Sequence, residues 1–471
     1  MLLPRHLANI LKSRTPEICF RSFASQEKNP FVKSWDVLKN DVSHFLGVNK
    51  KPAFYPQHVD VVIIGGGFIG SSIAYWLKTR TGEGLSVLVL DKDLTFQNVQ
   101  KNFSLGLITQ HFTLPENIKL SQYSAEFLRN VKENLGDDVN LEYHPCNSLV
   151  LASDKYAEKL EHNVMLQKEF GLKNNLLSTE DINKRFPWIN THDIKLGCIG
   201  TESEGFFNSW NFLKGLVNKS KELGAIYVNA EVTGFELEQQ RDVLMEGITP
   251  GSFERINRVK YQTPDNEEHY VKFAACILAA GDKSGHIARL AKIGTGDGLL
   301  TVPLPIEKRE YNVFSLEGKA KTTGLNTPMV MDTSGLWLRR NGLESNLLCG
   351  HIPLLTDETK NFTEHEYFQN VIKPSLINRI PDFEDTEMCK LAAEKQDCNT
   401  FDDSGFLGPH AYHNNLYIAA GFGRQGCFHA PGIGRAIAEL IIDSHYTTID
   451  LTRFGFDRLL VNQPIVEFNI Y

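Results

Sequence analysis

Gly65, Gly67 and Gly70, followed 21 positions later by Asp91, are the residues whose types and spacing most directly suggest chemistry. The pattern G-x-G-x-x-G suits a backbone that must approach a pyrophosphate: Gly65 allows a sharp bend, Gly67 a close approach, and Gly70 tight packing of the next helix. Free N–H groups and the positive dipole end at that helix start favour two phosphates. The Asp91 carboxylate is placed to accept both hydroxyls of an adenosine ribose. Phe68, Ile69 and Lys92 fall within the same predicted contact set.

These residues need a strand, a turn, a helix and a second strand in register. The apolar run Val61 to Ile64 supplies the first strand, Ser71 to Lys78 the helix, and Leu85 to Leu90 the second strand, which ends in Asp91. The glycines and serines of Val59 to Leu77 set it apart from a membrane-spanning helix. Two more strand-then-glycine elements follow. Phe273 to Ala280 reads as an apolar strand closing in Ala279-Ala280-Gly281-Asp282, where small residues let backbone pass close to a nucleotide. Leu416 to Ala420 opens into Gly421-Phe422-Gly423-Arg424-Gln425-Gly426, with a helix expected from near Pro431-Gly432 through Ile442 whose dipole favours negative charge.

Between these elements the chain alternates. Leu120, Tyr123, Phe127, Val131 and Leu135 predict an amphipathic helix over Ile118 to Leu135, and Leu94 to Pro115 reads as a loop beside the cofactor. Short strands such as Ser148 to Ala152 mark a second domain. Ser209 is expected to cap a helix over Trp210 to Leu223 that ends at Gly224.

The whole chain bounds the possibilities. Its 471 residues, 42% of them hydrophobic, are enough for a sizeable core and more than one domain. A net charge of -8 argues against non-specific nucleic-acid binding. The 8 cysteines include no C-x-x-C pair, so neither a zinc site nor a disulfide framework is expected. Arg5, Lys12, Arg14 and Arg21 stand against the single acid Glu17 within residues 1–26, with Leu2, Leu3, Leu7, Ile10 and Leu11 at helical spacing. That is the composition of a mitochondrial presequence, and no later segment reads as membrane-spanning. Residues 27–57, with Phe31, Trp35, Leu38 and Phe45, read as a surface lead-in.

Three strand-then-glycine elements at Gly65, Gly281 and Gly421 fit a flavin domain better than a simple nicotinamide dehydrogenase. Their order, over roughly Val59 to Arg458, resembles the D-amino-acid oxidase and sarcosine oxidase family of FAD-dependent oxidoreductases. The resemblance implies an α/β fold: a discontinuous FAD-binding Rossmann-like domain over 58–140, 205–298 and 402–460, with an α+β substrate domain over 141–204 and 299–401 built on a largely antiparallel sheet. It implies Gly65, Gly67, Gly70 and Asp91 as ADP-binding positions, Val232 as a backbone contact near the adenine, and Ala280-Gly281 as a phosphate loop. Gly421, Gly423, Arg424, Gln425 and Gly426 would cover the pyrimidine end of the flavin. Family members that attach flavin through histidine carry it where Phe103 stands, and those that use cysteine carry it near Lys395, so FAD is expected to be non-covalent.

Stretches from Gly106 to Leu120, Leu304 to Arg309, and Asn399 to His410 look like a mitochondrial branch of the family associated with assembly of respiratory complex I. That likeness implies complex I subunits or assembly intermediates as partners, in the mitochondrial matrix, with peripheral association at the inner membrane as an option. The family's aromatic-x-Gly-x-Tyr-Asp pattern is replaced here by Ala392-Ala393-Glu394-Lys395-Gln396-Asp397, and its Gly-Phe-Ser-Gly-His-Gly loop carries Arg424 in place of a glycine. As an enzyme, the protein would oxidise a C–N bond of a small amine or amino acid. Arg309 is the expected carboxylate clamp and Arg424 a cation near the flavin, while His111, His351, His410 and His429 are candidate acid-base groups.

Overall fold

A computed structural model describes residues 55–97, 106–243, 251–317, 324–341, 346–352 and 362–467, without the side chains of 389–393. The chain separates into two units, Met1–Tyr55 and Pro56–Tyr471, and the elements below belong to the second. The presequence, nearly all of the lead-in segment and Phe103 lie outside the described residues.

The central strand is β1 (Val61–Ile64), whose four side chains are at most 2% exposed. A continuous apolar run of this kind belongs in a parallel sheet covered on both faces. It pairs in parallel with β2 (Val87–Asp91) on one side and with Ala275–Leu278 on the other. Taking Ile226–Asn229 as β3, Ala275–Leu278 as β4, Phe406–Pro409 as β5 and Leu416–Ala420 as β6, the sheet order is β5-β6-β4-β1-β2-β3. All pairs are parallel except β5 with β6.

Helix α1 (Phe68–Thr81) starts three residues before the expected Ser71, because Gly67 already serves as its N-cap. Helix α2 (Gln425–Ile442) starts six residues before Pro431, which sits inside it and removes one backbone donor. The Pro431 carbonyl instead accepts the Trp76 indole N–H at 2.9 Å, which ties α2 to α1. A Cβ on Gly434 would lie 2.3 Å from Ser72 Oγ, so the two helices can approach only with glycine there. The predicted Ile118–Leu135 helix is two helices, Pro115–Arg129 and Val131–Leu135, divided at Asn130. Its expected apolar stripe is buried as read, at Leu120, Phe127, Val131 and Leu135. Asn208, rather than Ser209, caps the next helix, Ser209–Glu222, by accepting the Asn211 N–H.

Among the described residues the larger sheet has eight strands, in the order 388–399, 306–316, 347–351, 336–340, 329–331, 148–152, 196–200 and 174–178. Its one parallel pair is Met329–Met331 with Ser148–Ala152. Leu149, Phe314 and Leu338 face a core shared with Phe368 and Leu376. Val313, Met331 and Trp337 face the opposite way and pack with Phe206. The C-terminal stretch then returns to the loop before the 115–129 helix, where the Glu467 carboxylate accepts from Thr113, Leu114 and Asn117. No described helix is long and apolar enough to cross a membrane.

Candidate functional site

The glycine turn is built by exclusion. Gly65 has φ +103°, and a Cβ there would stand 2.2 Å from the Ala279 carbonyl oxygen. A Cβ on Gly70 would meet the Gly65 carbonyl oxygen at 1.9 Å, whereas nothing lies within 4 Å of the corresponding point on Gly67. Two glycines therefore let β1, α1 and the end of β4 close on one another, and the third leaves open space at the helix start.

Asp91 closes the turn from β2. One carboxylate oxygen accepts the Gly66 N–H at 2.6 Å and the other the Asp93 N–H at 2.8 Å. Burial raises its pKa, against the pull of these two N–H groups. Each oxygen keeps acceptor capacity for a ribose hydroxyl.

These elements border a cavity of about 350 Å³. Asp91, Lys92, Ala230, Glu231 and Val232 line it at or beyond the ends of β2 and β3, and Gly65, Gly67, Phe68, Ile69, Ala280 and Gly281 line it beyond the neighbouring strands β1 and β4. Lys283 and His286 border it from the segment after β4. Lys395, Gln396, Asp397, Gly423, Gly426 and Cys427 line it as well, with Asp282 next to Gly281. Glu231, Lys283, His286 and Cys427 were not foreseen. The first three follow short strands, where one sequence holds no spacing rule to mark them.

Gly70, expected at the ADP, and Gly421, Arg424 and Gln425, expected around the flavin, are absent from the lining. The Arg424 guanidinium instead lies 5.5 Å from the centre of the Tyr311 ring. Arg309 reaches the same tyrosine from its own strand, with Nη1 3.4 Å from the Tyr311 hydroxyl and 3.4 Å from Asp403. The structure thus brings the two arginines together at Tyr311 and places neither in the cavity wall.

Opposite Tyr311 in register stands Glu394, with 0% exposure. It lies close enough to Arg339 and Cys427 to influence both. Burial lowers Arg339 to about 10, with Glu394 opposing the shift, and its guanidinium stacks 4.2 Å from the Phe206 ring centre. Strand alternation puts Arg339 on the Trp337 face, but no local spacing in Leu336–Arg340 marks it as a neighbour of Glu394, 55 positions on.

The candidate histidines lie outside the lining. His429 is fully buried against Phe112 and Phe428, and burial lowers it to about 3. His410 accepts the Tyr412 and His413 N–H groups through Nδ1, and burial lowers it also to about 3. His351 meets the Ser334 carbonyl at 2.6 Å, and His111 the Ser148 carbonyl at 3.3 Å. Among the described residues no group of three acidic, histidine or cysteine side chains could hold a metal ion.

A family model described as FAD dependent oxidoreductase matches residues 60–440. The chain belongs to this FAD-dependent oxidoreductase family. A FAD-dependent oxidoreductase domain-containing protein 1 homolog of Drosophila melanogaster is 39% identical over 456 residues, covering 94% of this chain and 88% of that protein. In structure the chain is similar to L-proline dehydrogenase from P. horikoshii, with TM-score 0.70 at 21% identity over 87% of this chain and 100% of that one. It is also similar to FAD-bound L-alpha-glycerophosphate oxidase from Mycoplasma pneumoniae, with TM-score 0.61 at 18% identity over 85% and 98%. The cavity fits this family's cofactor, FAD: an acid at the end of β2, open glycine backbone at the start of α1, and the start of α2 beyond β6, three strands from β2.

Proposed function

We propose that the protein holds FAD non-covalently in this cavity, oxidises small amines weakly or not at all, and chiefly supports assembly of respiratory complex I in the mitochondrial matrix. Asp91, Lys92 and Val232 would hold the adenosine, Gly65, Gly67, Ala280 and Gly281 the pyrophosphate, and Gly423 and Gly426 the flavin, while Gly70 keeps α1 packed on the turn. When bound, FAD supplies acceptance of two electrons as a hydride.

The observation that carries the reading is Glu394, fully buried beside Arg339 on the sheet face next to Cys427 of the cavity wall. Glu394 stands where the family's pattern carries a glycine, and its carboxyl group accompanies Arg339, the cation that could otherwise receive a carboxylate-bearing substrate on that face. The complex I role and the organelle rest on the sequence likeness and the basic N-terminal segment. A second reading, oxidation of a secondary amine or amino acid, is favoured by Arg309 and Arg424 meeting at Tyr311, where they could clamp a carboxylate.

Anaerobic mixing of the yellow protein with N-methylated amines and D- and L-amino acids separates the two readings. The expected result is little flavin bleaching, together with reduced complex I in cells carrying Gly67→Trp. Rapid bleaching by one small amine would establish the second reading, and normal complex I without the protein would remove the assembly role. N-terminal sequencing of the organelle form is expected to show cleavage near Arg21 to Ser25; an intact Met1 would reject the presequence.

A further inference from the structure

Asp397 is an acidic side chain of the cavity wall held at Gly421, just beyond β6, which lies three strands from the β2 that carries Asp91. It lies on the Met388–Asn399 strand, and its carboxylate accepts the Gly421 N–H at 2.5 Å and the Gly423 N–H at 3.2 Å, with Phe422 N–H also directed at it. These three consecutive donors lead into α2, an 18-residue helix whose N-terminus favours negative charge. The nest that would stabilise an anion at the flavin end is therefore already occupied by an anion of the chain.

We propose that Asp397 takes up a proton when the flavin held beside it is reduced, yielding its place as the anion of the glycine nest to the negative charge the cofactor gains. The inference rests on FAD lying in this cavity with its adenosine at Asp91, which leaves the flavin at Asp397. The step balances: two electrons and one proton enter the flavin from a two-electron donor, and a second proton comes from water to the Asp397 carboxylate. Like charges at one short turn cannot both persist without cost, and the group with the higher proton affinity yields. Burial has already raised Asp397 to about 6 despite its three N–H donors, so a further rise brings it across neutral pH.

Neighbouring charges do not pre-empt the exchange. On the same strand, Lys395 is exposed and the Cys398 thiol donates to Asp403. Lys308, opposite Asp397 in register, pairs with Glu310 at 2.6 Å, and Arg309 turns to Tyr311 and Asp403. Arg424 stacks on Tyr311, while Asp282, Lys283 and His286 face the same cavity from the segment after β4. The hydrogen bonds that hold the Asp397 carboxylate come from backbone.

The test is the midpoint potential of the bound flavin between pH 6 and 8, by titration with dithionite, in wild type and Asp397→Asn. Each proton taken up per two electrons contributes about 30 mV per pH unit. Wild type is expected to take up close to one proton more than Asp397→Asn across this range, and Asp397→Asn to have the higher potential at pH 8. Equal slopes in two yellow proteins would overturn the proposal and leave the cofactor site intact, whereas a wild type that binds no FAD would overturn the site itself. Should Asp397→Asn fail to retain flavin, the reduced-minus-oxidised infrared spectrum of wild type decides. A protonated carboxyl band that appears on reduction and shifts with carbon-13 aspartate supports the exchange; its absence rejects it.

Discussion

At the residue scale, Asp91 acts in two directions at once. It fixes the Gly66 N–H of the turn and presents the same oxygens to the cavity. Asp91→Arg removes the acceptor and adds a charge and donors. The loss of two hydrogen bonds to a charged group, about 1.5–3 kcal/mol each, should weaken FAD binding at least roughly 100-fold. Flavin fluorescence released on dilution measures this, and unchanged retention would show that Asp91 serves the turn alone. Arg309 and Arg424 teach the opposite lesson. Each could be named as a cation from sequence, but where its long side chain goes depended on Tyr311, which strand alternation places on the Arg309 face and no local pattern joins to Arg424.

At the scale of elements, the C-terminal end of α2 is pinned by Glu439, which has 0% exposure. Burial alone would raise this carboxyl, but hydrogen bonds from Thr448, Arg435 and the Thr447 N–H hold it down at about 2. A depressed folded-state pKa contributes stability above the unfolded value near 4.5 and loses it as the pH falls towards 2. Wild type should therefore exceed Glu439→Gln in unfolding free energy at pH 6 by on the order of 2–3 kcal/mol. The gap should narrow between pH 4.5 and 2, and a constant gap in urea titrations would exclude the carboxylate as its source. The extra length of α2 has a related cause: Pro431 suggests a helix start, yet here packing on Trp76 and Ser72 holds a helix through it.

At the scale of the molecule, the cavity walls come from distant parts of the chain: β1 and β2, the segment after β4, the Met388–Asn399 strand, and α2. FAD bound there links all of them, so FAD should raise the unfolding free energy of the apoprotein by about 2.7 kcal/mol at 100 times its Kd. Thermal melts across a FAD series check this, and a midpoint independent of FAD would show that the cavity does not hold it. The sequence by itself determined the glycine turn, its flanking strand and helix, the Asp91 acceptor and the flavin-family fold, because each depends on short-range spacing or on backbone freedom at a particular glycine. Only the tertiary structure decided that Asp397 occupies the N–H nest of α2, that Arg339 accompanies the buried Glu394, and that Arg309 and Arg424 converge on Tyr311. Apart from Arg309 and Tyr311, two positions apart on one strand, those contacts join residues from 24 to more than 100 positions apart, and which charges become neighbours there is settled by strand register and by what each side chain can reach once the sheets close.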